Sequence, residues 1–98
     1  MQEAARPRLT QHDLKTWPEM FNAIISGAKK HDIRVNDRDF RVGDELLLRE
    51  WDPETKMYTF RYIMAEVTYI TPGGTWGIPE NLCVMSLEIK YFDVGGSA

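Results

Sequence analysis

The chain has 98 residues, 43% hydrophobic and 28% charged, and carries a formal net charge of −3. That length supplies side chains for one core, and a lone cysteine, Cys83, excludes the disulfide framework of a small secreted domain. The net acidity excludes attraction to phosphate through the overall field, so any anion site must be local.

Residues 1–11 carry Pro7, two arginines and few apolar groups, and are expected to form a flexible tail with no signal-peptide character. One domain is expected over 12–92 and a second tail over 93–98, which contains the pair Gly95-Gly96. No apolar run approaches the about 18 residues of a membrane span. A cytoplasmic, soluble chain is expected, with a monomer as its state.

Lys15 falls on the first predicted strand. Thr16 and Glu19 have capping-box spacing, Pro18 suits a first helical turn, and Gly27 suits a helix end, so a helix is predicted over 18–26. Trp17, Phe21, Ile24 and Ile25 recur at helical spacing and predict a stripe packed on a core. Beyond Gly27 the period changes to two. Ile33 and Val35 predict a strand with its apolar side inward, leaving Lys30, Asp32 and Arg34 on the opposite face as a solvated charge ladder. Leu46 and Leu48 predict a second half-buried strand, and Met85, Leu87, Ile89 and Tyr91 a third. The run Asp52-Pro53-Glu54-Thr55-Lys56 predicts a hairpin returning over 57–70, a length for which a bulge or a sharp bend is expected inside the strand. Residues 71–79 hold glycines, prolines and Trp76 and read as a loop. The strand aromatics Trp51, Tyr58, Phe60, Tyr62 and Tyr69 are assigned to packing; Trp76, with no periodic partner, is a candidate for stacking on a base or for capping its own barrel. The fold class is mainly β with a short helix (α+β), closing into a small antiparallel or mixed β-barrel.

No catalytic signature is present. His12, His31 and Cys83 have no metal-ligand spacing, and no glycine-rich phosphate loop occurs, so neither metal nor cofactor is expected. The segment from Gly27 to Gly43 is mildly basic, and within it the junction between the helix end and the next strand concentrates donors and is the candidate site.

The blocks Ser26-Gly27-x-Lys29-x-x-Asp32-Ile33-Arg34, Asn36-Asp37-Arg38-x-Phe40-x-Val42-Gly43-Asp44 and Leu48-Arg49-Glu50-Trp51-Asp52-Pro53-Glu54-Thr55 resemble the ASCH domains of the PUA-like superfamily. They are closer still to small bacterial and phage ASCH-like proteins. The resemblance covers residues 12–89. It implies a PUA-like barrel with a helix across one end and a cleft that takes RNA or a nucleotide. Gly27, Lys29 and Arg34 match the family's Gly-x-Lys-x-x-x-x-Arg pattern. Some ASCH relatives are amidohydrolases that remove an acyl group from N4-acylated cytidine with a lysine, a threonine nucleophile and a glutamate. The lysine position is Lys29, but Asp32 stands at the threonine position, and an ionised carboxylate cannot replace an activated hydroxyl there. No residue is therefore assigned as catalytic. The leading expectation is RNA or nucleotide binding by Lys15, Lys29, Asp32, Arg34, Arg38 and Trp76. Guanidinium forks would engage phosphate, and Asp32 would accept from an exocyclic amine. The alternatives are the amidohydrolase and an adaptor that binds a protein partner.

Overall fold

The structure, a computed structural model, describes residues 9–95. Residues 1–8 and 96–98, most of the first expected tail and half of the second, lie outside the described residues. Gln11 already belongs to the sheet, because Thr10 accepts a backbone bond from Glu45 and starts the first strand's ladder.

The elements run β1 (Gln11–Thr16), α1 (Pro18–Ile25), β2 (His31–Val35), β3 (Glu45–Asp52), β4 (Met57–Pro72) and β5 (Leu82–Asp93). The predicted helix, the hairpin at 52–56 and the long bulged return strand are all present. Lys56 N–H closes the turn on Asp52 O at 2.7 Å, and the β3–β4 register shifts between Arg49 and Trp51. The capping box does not form. Thr16 is the last residue of β1, and Trp17 takes the extended N-cap conformation with no side-chain cap. The Thr16 hydroxyl faces inward instead, donating to Leu14 O.

One sheet contains every described strand, in the order β1-β3-β4-β5-β2, with β1 parallel to β3 and the other pairs antiparallel. Where the sequence predicts a closed barrel, the sheet curls into a half-barrel, and among the described residues β1 and β2 are its two edges with no backbone pairing between them. α1 connects these two edges and buries Phe21 and Ile24 against Leu46, Leu48, Ile63, Val67 and Met85. Complete removal of side chains this size from water stabilises by about 1.5–3 kcal/mol each, which fixes the helix across the inner face.

β2 is inverted relative to expectation. Asp32 is 5% exposed and Arg34 half-buried, whereas Ile33 and Val35 are 49% and 51% exposed. Of the expected ladder, Asp32 and Arg34 form an inward-facing ion pair, with Arg34 Nε 2.8 Å from Asp32 Oδ2, while Lys30 lies before β2, is exposed and donates to Gly27 O. Two strand aromatics also depart from a packing role: Tyr69 is exposed, and Phe60 is 83% exposed at a φ of 73° beside the β3–β4 bulge. No helix of the described residues is long and apolar enough to cross a membrane.

Candidate ligand cleft at the sheet seam

The edges of β1 and β2 face each other across a seam that arginine side chains bridge. Arg34 Nη1 donates to Lys15 O at 2.9 Å, Arg34 Nη2 to Thr16 Oγ1 at 3.1 Å, and Arg38 Nη1 to Asp13 O at 3.0 Å. A strand edge carries carbonyls that no ladder satisfies, and a guanidinium on the facing strand can reach them. Arg34 therefore has a structural commitment, with each of its nitrogens making one bond, while two of its five N–H groups stay available.

Where the seam meets the start of α1, a cleft of about 200 Å³ opens, lined by Lys15, Thr16, Trp17, Met20, Asp32, Ile33 and Arg34. Three expected site residues, Lys15, Asp32 and Arg34, meet here. Trp17, which the sequence assigns to the core stripe, is 54% exposed at the rim. Its ring lies 6.2 Å from that of Trp51, and the Lys15 ammonium sits 4.0 Å above the Trp51 ring. Arg38 lines an adjoining recess of about 190 Å³ with Arg34, Leu14 and Phe40.

The other two expected residues lie elsewhere. Lys29 lines a separate recess with Ile24, Leu87 and Ile89, and its Nζ is 3.2 Å from His31 Nε2. The helix-to-strand junction is thus split, because the inward turn of β2 sends Arg34 to the seam while Lys29 stays beneath the helix end. Trp76 lines none of these recesses. It is 90% exposed at a φ of 52° and does not fold back onto the barrel.

Acyl-transfer chemistry has little to work with at the seam. The Thr16 hydroxyl accepts from Arg34 and donates to a carbonyl, so no base draws its proton. Cys83, opposite Arg34 on the neighbouring strand β5, is buried, and burial first, with the Asp32 charge second, pushes its thiol up from the ordinary range, away from the thiolate. Among the described residues, no group of three or more His, Cys, Asp or Glu side chains gathers as metal ligands do.

Two further buried polar clusters escaped sequence reading. His12 Nε2 lies 2.9 Å from Asp44 Oδ2, which also accepts from Arg41 N–H, and the His12 ring meets Phe40 edge-on at 4.6 Å. Glu50 accepts two bonds from Arg61 and one from Thr59, all at 2.7 Å. Both clusters join residues distant in sequence. The only local hint is a charged residue on the inward period of β3.

A family model described as a domain of unknown function (DUF3850) matches residues 11–87. An "Uncharacterized 12.9 kDa protein in GpA 3'region" of Escherichia phage P2 is 31% identical over 65 residues, which is 66% of this chain and 58% of that relative. The chain therefore spans less than two thirds of the relative's length.

Proposed function

This chain belongs to the DUF3850 family of domains, and within that frame we propose that its seam cleft binds RNA or a nucleotide, on a fold of the ASCH, PUA-like type. The observation that carries the reading is the joint lining of one cleft by the Lys15 ammonium, the exposed Trp17 ring and the free donors of Arg34. Cation and aromatic face together suit a phosphorylated base: the ring stacks, and the cation neutralises. Asp32 orients the Arg34 fork, so a base edge or phosphate meets donors in a fixed geometry. Amide hydrolysis of an N4-acylated cytidine is the weaker reading, because Lys29 stands away from the seam and no activated hydroxyl faces it.

The test is tryptophan-fluorescence titration of the full chain with nucleoside triphosphates and short RNA. Lys15→Ala should weaken binding about fivefold, the loss of one charge-assisted contact. Lys56→Ala, an equal charge change on the hairpin turn, should leave affinity within about twofold, since exposed charges far from a site contribute little. Equal losses in both variants would indicate diffuse attraction only. Absence of binding to every nucleotide and RNA would overturn the reading in favour of a protein-binding adaptor.

A further inference from the structure

The cleft's volume of about 200 Å³ is below the roughly 300 Å³ where sites for drug-sized ligands begin. It has room for a base and leaves the rest of a longer ligand outside. What lies outside is the sheet face turned away from α1. On that face Trp51 pairs with Tyr58 across β3 and β4, and Lys15, Arg49 and Tyr62 form one cross-strand row from β1 to β4. The Arg49 guanidinium lies 3.9 Å from the Tyr58 ring centre, and Tyr62 meets Tyr91 of β5 edge-on at 6.4 Å. Rings and cations thus share one face from the cleft rim at Trp17 across four neighbouring strands.

From this continuity we infer that the outer face of β1, β3, β4 and β5 is a stacking platform for a single-stranded nucleic acid whose end base occupies the seam cleft. The inference rests on the nucleic-acid reading of that cleft and names its ligand class, an oligonucleotide. Core-facing aromatics would be covered by the helix, but Trp17 and Tyr91 are exposed and Trp51, Tyr58 and Tyr62 are half-buried. Crossing four strands takes three steps of about 4.8 Å, a span on which sheet platforms display two or three bases. The platform also has a boundary. Glu45, Glu66 and Glu88 stand in register across β3, β4 and β5, with Lys90 3.5 Å from Glu45 and 3.8 Å from Glu66. This acidic row repels a phosphate backbone and confines its path to the aromatic side. The ion pair of Arg49 with Asp13 on this path, at 3.4 Å, is exposed and exchanges readily for a phosphate.

The experiment measures affinity of the full chain for a mononucleotide, a trinucleotide and a hexanucleotide, in RNA and DNA series, for the parent, Tyr58→Ala, Tyr58→Phe and Arg49→Ala. Thermal melts run alongside to confirm folding. Affinity should rise with length up to the hexanucleotide. Tyr58→Ala should weaken hexanucleotide binding about tenfold, the loss of one stacked base, and leave mononucleotide binding unchanged. Tyr58→Phe should restore it, and Arg49→Ala should make the salt dependence shallower by about 0.7 in slope, the value for one single-strand phosphate. A hexanucleotide bound no tighter than the mononucleotide would overturn the platform and leave the cleft standing. Tyr58-dependent hexanucleotide binding without mononucleotide binding would keep the platform and remove the cleft reading. Binding to neither ends both. Equal RNA and DNA affinities would show recognition of base and phosphate alone, whereas an RNA preference would place the 2′-hydroxyl in the contact; either supports the platform.

Discussion

Glu50 is 3% exposed on β3, and its carboxylate accepts from both Nε and Nη2 of Arg61 and from the Thr59 hydroxyl. The Arg61 hydrogen bonds hold its carboxyl below the ordinary value of 4.5 against the opposing effect of burial, and Arg61 is raised in return. Arg61 also donates to Asn22 and lies over Phe21, so one guanidinium ties α1 to the bulged part of β4. A carboxylate with a lowered folded-state pKa contributes stability that is fully present above its unfolded value and lost as pH falls through the folded value. Arg61→Met should therefore destabilise by about 3 kcal/mol at neutral pH, the cost of stranding a buried charge. The deficit should shrink below about pH 4.5, where the unfolded carboxyl is protonated; urea melts at pH 7 and pH 3.5 check both the size and the sign. A different mechanism governs Gly43. Its φ is +97°, and a Cβ there would meet Leu9 Cδ2 at 3.1 Å. Gly43→Val should cost about 1–3 kcal/mol through backbone strain while affinity for a nucleotide stays the same in the folded fraction.

At the scale of elements, the seam is where β2 departs from a simple apolar alternation. Arg34 neutralises the buried Asp32 and caps β1 carbonyls, so Arg34→Ala should destabilise by about 3 kcal/mol. Replacing both, as Asp32→Leu with Arg34→Leu, should recover part of the loss, because no charge is then stranded. A single variant within about 0.5 kcal/mol of the parent in a urea melt would mean the pair is of the weak surface kind. The helix and the bulged hairpin were legible in the sequence because their signals are local: Pro18 and Gly27 bracket α1, and the 52–56 run sets the turn. The face of β2 was not. Its charged and apolar residues have the same period of two, and the rule that apolar residues turn inward selects Ile33 and Val35. What turns Asp32 and Arg34 inward is a set of acceptors on β1, at Lys15 and Thr16, which no local pattern contains. The same long-range cause places Lys15, Asp32 and Arg34 in one cleft and leaves Lys29 and Trp76 outside it.

For the molecule as a whole, a net charge of −3 means that long-range attraction cannot gather nucleic acid, and recognition has to come from a short track of rings and cations beside an acidic row. Affinity should then depend only modestly on salt, with a log–log slope near −2 for about three phosphates neutralised at Lys15, Arg34 and Arg49. The half-barrel makes that track possible by leaving the seam open at the Trp17 end while α1 covers the opposite face of the sheet. The most direct measurement is a two-dimensional ¹H–¹⁵N NMR titration of the full chain with a single-stranded RNA hexanucleotide. Oligonucleotide binding at the seam and platform predicts saturable shifts at the Lys15, Thr16 and Arg34 amides and at the Trp17 and Trp51 indoles, with the Lys29 amide and the Trp76 indole unmoved. Shifts confined to Lys29 and Trp76, or none at millimolar RNA, would contradict it.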